Sequence, residues 1–222
     1  MKIAGFQKSS FVDYPKIISS VVFTPGCNMR CSYCHNKHIL SSNTELIDEL
    51  TVLDYLNKRK GFIKGVVISG GEPTLQADLE NFIKNIKSMG YKIKLDTNGT
   101  NPKVLKGLCE KGYIDYIAMD LKAPLEKYSE ICCVDIDENL IKESVEYIRN
   151  CKIDHEFRTT FYPDLTDIDI LKISETLAKD SKYYLQQYRQ VENGKIPYAK
   201  DYVTKTAEEV IKRGGKCVVR GL

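Results

Sequence analysis

Nowhere in the chain do about 18 apolar residues run together, so no segment reads as a transmembrane helix. The opening residues, Met1-Lys2-Ile3-Ala4-Gly5-Phe6-Gln7-Lys8, lack the apolar stretch of a secretory signal. With 33 basic side chains against 30 acidic ones, the net charge of +3 is too small to argue for nucleic acid or a membrane surface as partner. Tryptophan is missing, and the 14 tyrosines are expected as core and rim aromatics. No internal repeat, low-complexity tract or linker divides the sequence, so residues 1–222 are expected to form a single domain. The expected location is cytoplasmic, where glutathione and thioredoxin keep thiols reduced. The eight cysteines then read as ligands and buried thiols rather than disulfides.

The absence that matters most is a fourth cysteine near the first three. Cys27, Cys31 and Cys34 stand as Cys-x₃-Cys-x₂-Cys behind a Pro25-Gly26 turn, and the next cysteine is Cys109. Three close thiolates call for a soft metal: an iron–sulfur cluster, zinc or Cu(I). Structural zinc wants four protein ligands, and a cubane cluster normally takes four cysteines. Three readings stay open. The thiols are buried by chance, His35 or His38 completes a zinc site, or one coordination position is left for a substrate.

The remaining sequence alternates strands and helices. β-Branched and apolar runs mark strands at 17–24, 65–69, 91–96, 114–119, 153–161, 183–188 and 216–220. Between them lie helical patterns, among them Thr44 to about Lys60, Leu79 to Met89, a helix opened by Pro102, and segments near 137–150, 166–179 and 204–213. The loosest stretch is 189–203, with Asn193-Gly194 and Pro197. Strand-then-helix units repeated about six times argue for an α/β fold, and too few for an eight-unit barrel, so a partial barrel is expected. Glu72, Asp96, Asp120, Lys122, Arg158 and Gln187 fall at or near C-terminal strand ends. That is the edge where parallel α/β folds bind ligands.

Singly, each polar motif has a plain explanation. Gly70-Gly71-Glu72-Pro73 could be a strand-to-helix turn, and Asp96-Thr97-Asn98-Gly99 another. Asp120 with Lys122 could be a surface ion pair worth about 0–1 kcal/mol. Beside a metal with an open position they read differently. Glycine carbonyls and a carboxylate could hold an amine, while Lys122 or Arg158 could hold a carboxylate.

Cys27 to Cys34, with Tyr33 before the last cysteine, followed by Gly70-Gly71-Glu72-Pro73, resembles the radical S-adenosylmethionine superfamily. Phe11-Val12-Asp13-Tyr14-Pro15, the run from Thr24 to Asn36, Asp96-Thr97-Asn98-Gly99, Asp120-Leu121-Lys122 and the terminal Val218-Val219-Arg220-Gly221 narrow this. They look like the glycyl-radical-enzyme activases, most like those of anaerobic ribonucleoside-triphosphate reductase. The chain departs from that pattern at Lys16, where glycine is expected, and at Cys132-Cys133. The resemblance implies a partial (β/α)6 TIM-like barrel of the radical SAM type. It implies a [4Fe-4S] cluster on Cys27, Cys31 and Cys34, with S-adenosylmethionine on the fourth iron. One electron from the cluster would release a 5′-deoxyadenosyl radical, which takes a hydrogen atom from a glycine of the partner enzyme. No catalytic side chain is implied beyond the two cofactors.

Carried over residue by residue, Gly70, Gly71, Glu72 and Asp96 would hold the methionyl amine and Lys122 the carboxylate. Tyr33 would line the adenine through its backbone. Asn98, Asp120, Arg158 and Gln187 complete the implied cofactor contacts, and Asp96, Thr97 and Asp120 are candidates for a monovalent cation. A flavodoxin or ferredoxin would supply the electron.

The other thiols have structural readings. Cys109 lies on an apolar helix face, Cys151 ends a helix, Cys217 sits in a strand, and Cys132-Cys133 read as loop thiols. His155 reads as a satisfied strand histidine, and Tyr183, Tyr184 and Tyr188 could border a partner's glycine loop. Two other targets stay open: another glycyl radical enzyme of the pyruvate formate-lyase type, or a small molecule. A non-enzymatic zinc or electron-transfer module is the alternative of a different class.

Overall fold

The computed structural model describes residues 1–41, 44–192 and 194–222. They divide into two compact units: Met1–Asn28, Asn36–Thr97 and Asn101–Ile117 form the first, and Met29–His35, Asn98–Thr100 and Ala118–Leu222 the second.

In the first unit, strands β1 (Gly5–Ser10), β2 (Ser19–Thr24), β3 (Gly65–Gly70) and β4 (Lys92–Thr97) lie side by side in that order. β1 runs antiparallel to β2, and β2, β3 and β4 are parallel. Val66, Val67 and Ile68 are all within 1% of complete burial. Both faces of β3 are therefore covered, which is why its sequence is a continuous apolar run and not an alternation. Helices α1 (Glu49–Lys58), α2 (Leu79–Ser88) and α3 (Pro102–Glu110) follow the strands. α2 buries Leu79, Phe82, Ile83 and Ile86 along one stripe. α3 starts where Asn101 accepts from the Val104 N–H, with Pro102 in the first turn.

Two expectations fail here. α1 starts at Glu49, capped by Asp48, and not at Thr44. The Thr44 hydroxyl donates to the His38 and Ser41 carbonyls instead. β1 gave no signal because its Gln7, Lys8 and Ser9 are exposed and it has no β-branched residue. Lys16, the position where glycine was expected, has φ +63°, in the left-handed region.

Strand β5 (Tyr116–Asp120) ends the first unit at Ile117 and opens the second at Ala118. In the second unit β6 (Asp154–Phe161), β7 (Lys182–Gln187) and β8 (Lys216–Arg220) are parallel neighbours. Four helices accompany them: α4 (Tyr128–Cys132), α5 (Glu138–Asn150), α6 (Asp167–Glu175) and α7 (Lys200–Lys212). Thr166 and Asp169 form a reciprocal capping box at the start of α6. The five-residue α4 was missed. Cys132 closes it and Cys133 is its left-handed cap at φ +54°, so these thiols do not belong to a plain loop.

The segment 189–203 is better tied than its composition suggested. α7 already begins at Lys200, the Tyr198 hydroxyl donates to the Pro163 and Leu165 carbonyls, and Lys195 pairs with Asp164. Asn193 lies outside the described residues. The described residues thus form eight strands in a mixed α/β arrangement, seven of them expected. Among the described residues no helix is long and apolar enough to cross a membrane.

Candidate active site

Two turns of the first unit are laced together by main-chain bonds. After β2 the chain passes through Pro25 and Gly26, the latter at φ +77°, directly into Cys27. The Gly71 N–H donates to the Thr24 carbonyl and the Glu72 N–H to the Gly26 carbonyl, each at 2.9 Å. The Gln76 side chain donates to the Pro25 carbonyl at 2.9 Å. Asn36, two residues beyond the last cysteine of the triplet, donates to the Gly70 carbonyl at 3.2 Å.

Only glycine fits here. A Cβ on Gly71 would overlap the Gly26 carbonyl, and one on Gly70, at φ +113°, would overlap the Thr24 backbone. The Gly-Gly pair is a close approach of two chains, not a generic turn.

Glu72 is fully buried. Its Oε1 accepts from the Thr74 N–H (3.1 Å), the Thr74 hydroxyl (2.6 Å) and the Thr97 hydroxyl (2.8 Å). Asp96 accepts from Ser69 Oγ at 3.1 Å and pairs with the buried Lys94. The structure therefore brings Glu72 to Thr97, and sets Asp96 one residue before it at the end of β4.

The second unit holds Cys31, Tyr33 and Cys34, together with Asn98, Asp120, Lys122, Arg158 and Gln187. Arg158 Nε donates to one oxygen of Asp120 at 2.7 Å, and Lys122 Nζ to the other at 3.1 Å. Burial alone would raise the Asp120 carboxyl, but the Arg158 and Lys122 charges hold it well below the usual carboxylate range. For Lys122, burial works against the charged form, and Asp120 outweighs it and pushes the ammonium up. The Tyr128 hydroxyl accepts from the Lys122 N–H at 3.1 Å, and the Leu121 N–H donates to the Arg158 carbonyl at 2.8 Å. This is a half-buried, cross-strand cluster, not the weak surface pair of the plain reading.

Asn98 is buried and its side-chain oxygen accepts from both the N–H and the hydroxyl of Thr100. Gln187 donates to the Tyr198 carbonyl at 3.0 Å, and its own carbonyl oxygen is buried without a partner. Tyr183 and Tyr188 are buried, so they do not present a rim to a partner.

Sequence reasoning missed Cys132. Its side chain is completely buried and lies in hydrogen-bond reach of the Cys31 thiol. The Cys132 contact draws the Cys31 thiol down to about 6 against the effect of burial, and Lys122 adds to it. The Arg30 N–H donates to the Cys132 carbonyl at 2.9 Å, tying the cysteine loop to the end of α4. No spacing rule connects residues about a hundred positions apart, so no sequence signal pointed to this pair. Tyr33 stacks on Tyr162 with centroids 4.8 Å apart, and its hydroxyl is buried without a partner.

The donor set fits an iron–sulfur cluster. All eight cysteines are free thiols, and the triplet supplies three soft ligands, one of them already biased toward thiolate. Among the described residues no group of three His, Cys, Asp or Glu side chains is placed to hold a single metal ion. In a cubane cluster each cysteine binds its own iron. Between Cys31 and Cys34 in the chain, the Tyr33 hydroxyl is a buried donor without a partner. Such a donor suits acceptor-rich thiolate and sulfide.

Residues 21–177 match the Radical SAM superfamily model, so the chain belongs to that superfamily, whose members are enzymes using a [4Fe-4S] cluster and S-adenosylmethionine. A Methanocaldococcus jannaschii protein provisionally named a glycyl-radical enzyme activating enzyme is 35% identical over 225 residues, covering 95% of this chain and 92% of its own. Within the superfamily, then, this is a member of the glycyl-radical-enzyme activating enzymes. The pyruvate formate-lyase-activating enzyme of Staphylococcus epidermidis is 27% identical, covering 89% of this chain and 87% of that protein. Streptococcus suis SuiB, solved with its precursor peptide SuiA, superposes with a TM-score of 0.71 at 15% identity, over 90% of this chain and 48% of its own. That likeness shows the fold, the α/β class expected from the sequence.

Proposed function

We propose that this enzyme activates anaerobic ribonucleoside-triphosphate reductase by removing a hydrogen atom from one glycine of that partner. The observation that carries the reading is the Cys27–Cys34 loop, three thiols with a Pro25-Gly26 turn clamped to a Gly-Gly-Glu turn by 2.9 Å main-chain bonds. The run Thr24 to Asn36, the Phe11-Val12-Asp13-Tyr14-Pro15 loop and the absence of a second Cys-x₂-Cys pair favour the reductase over other glycyl radical enzymes. When bound, the cluster and S-adenosylmethionine supply one-electron cleavage of a carbon–sulfur bond and a carbon radical.

The protein's own residues would anchor and orient. Cys27, Cys31 and Cys34 would hold three irons. Gly70 and Gly71 would offer main-chain carbonyls to the methionyl amine, with Glu72 and Asp96 as carboxylates on the same side. Lys122, steadied by Asp120 and Arg158, would face the carboxylate. Tyr33, Asn98 and Gln187 would border the nucleoside. A monovalent cation on Asp96, Thr97 and Asp120 would have to compete with Lys94, with the Glu72–Thr97 bond and with the Lys122–Asp120–Arg158 pairs. The whole of 1–222 would act as one domain in the cytoplasm, taking its electron from a flavodoxin or ferredoxin.

The test is anaerobic co-incubation of the reduced, cofactor-loaded enzyme with the reductase, read by EPR. A glycyl radical doublet on the reductase is expected. Cofactor cleavage without that doublet, and with one on a pyruvate formate-lyase, would overturn the choice of partner.

A further inference from the structure

We infer that the Lys94 ammonium takes the place of a monovalent cation beside Asp96, as a positioning residue for that carboxylate, so that this enzyme binds S-adenosylmethionine without Na⁺ or K⁺. The inference rests on the reading that Asp96 belongs to the cofactor site.

The sequence hides this lysine. Lys92-Ile93-Lys94-Leu95 alternates, as if both lysines faced solvent. Lys92 is exposed, but Lys94 is only 2% exposed, because the middle of β4 is covered on both faces. Lys94 lies in register with Val67 of β3, and Val67 with Val21 of β2. Both valines belong to an apolar cluster with Tyr14 and Tyr116. Lysine is almost never found so deep unless its charge is paired. Its partner is Asp96, two residues on and on the same face of the strand.

The pair is one-sided. The ammonium is buried, whereas Asp96 keeps 15% of its side chain exposed at the end of β4. One carboxylate oxygen takes Lys94 and the other the Ser69 hydroxyl, which fixes the orientation of the group. Hard cations take several oxygen ligands. The three candidates for such a site are engaged here: Asp96 by Lys94, Thr97 through the bond from its hydroxyl to Glu72, and, in the second unit, Asp120 by Lys122 and Arg158. These residues do not fit an added cation. A second positive charge at Asp96 would be repelled by the ammonium already there. Lys94 supplies the same single charge on a tether, and it acts through Asp96, not on the cofactor.

The test is calorimetric titration of the reconstituted, oxidised holoenzyme with S-adenosylmethionine in Na⁺, K⁺ or choline chloride at equal ionic strength, with sodium NMR relaxation as a direct readout of cation binding. Wild type should bind equally in all three salts and show no sodium signal that Asp96→Asn removes. Lys94→Met should bind about tenfold more weakly in choline, recover as Na⁺ or K⁺ is added, and gain a saturable sodium signal. A wild type whose affinity rises with Na⁺ or K⁺, or whose sodium signal is lost in Asp96→Asn, would overturn the inference. So would a loaded Lys94→Met that is indifferent to the cation. Should Lys94→Met fail to take up a cluster, Lys94→Gln replaces it, and if that also fails the wild-type comparison decides alone. Asp96→Asn separates the two levels. If it binds S-adenosylmethionine as wild type does, Asp96 is not part of the cofactor site and the inference falls with that reading. If it binds more weakly while Lys94→Met ignores cations, the inference alone fails.

Discussion

At the end of β3, in the first unit, the chain is held by shape: two glycines let the Gly70-Gly71-Glu72 turn lie on the Pro25-Gly26 turn, and the bonds are between main-chain atoms. At the end of β5, in the second unit, the chain is held by charge, with Asp120 gripped by Lys122 and by Arg158 of β6. A contact made of backbone has no side chain to trim, so it fails when something is added. A contact made of charges fails when something is removed, and it answers to pH. The two regions should therefore break under opposite kinds of substitution.

The largest effect should come from adding one methyl group to the first region. In Gly71→Ala the new Cβ meets the Gly26 carbonyl, a backbone atom that cannot rotate away. We expect a loss of about 3 kcal/mol and poor iron uptake, measured by denaturant unfolding of the apoprotein and by iron analysis. Next comes removal of a charge from the second. Arg158→Ala leaves Asp120, still 31% exposed, with Lys122 alone. The expected cost is about 1–2 kcal/mol, less than for a fully buried pair because solvent screens it. The same variant of a first-region residue, Asp96→Ala, is no substitute, because Asp96 also accepts from Ser69.

The pH response sharpens the contrast. Asp120 is depressed in the folded protein, so its stabilisation is complete above the unfolded value of about 4 and is lost as pH falls through the lower folded value. Lys122 is raised, so its share is complete below about 10 and is lost only as pH rises through the higher folded value. The stability difference between wild type and Asp120→Asn should be flat from about pH 5 to 9 and shrink below about 4. A difference that grew on acidification would contradict the charge account. Smallest of all, Lys16→Gly should stabilise by about 0.5–1 kcal/mol, because Lys16 sits at φ +63°.

The shape-built region was the more legible in sequence. Gly70-Gly71 after a β-branched run announces a turn, and Pro25-Gly26 before the thiols announces another, although nothing said that the two would touch. The strands were read well because fully covered β3 is an unbroken apolar run, whereas half-exposed β1 carries no such mark. The charge-built region was legible only as a scatter of ions at strand ends. That Asp120 binds both Lys122 and Arg158 depends on residues 38 apart in sequence meeting across strands. The Cys31–Cys132 pair is more distant still, and Cys132-Cys133 looked like loop thiols because a five-residue helix leaves too little periodicity to see. Cys109 and Cys217, set in a regular helix and a regular strand, are buried as expected.

Three ligands, Cys27, Cys31 and Cys34, would leave one iron of the cluster open for S-adenosylmethionine. This is tested most directly by anaerobic reconstitution followed by metal analysis and reduction in the presence of that cofactor. About four irons per chain, release of 5′-deoxyadenosine, and loss of that product in Cys34→Ala are expected. A single tightly held zinc with no iron, or undiminished 5′-deoxyadenosine from Cys34→Ala, would contradict it.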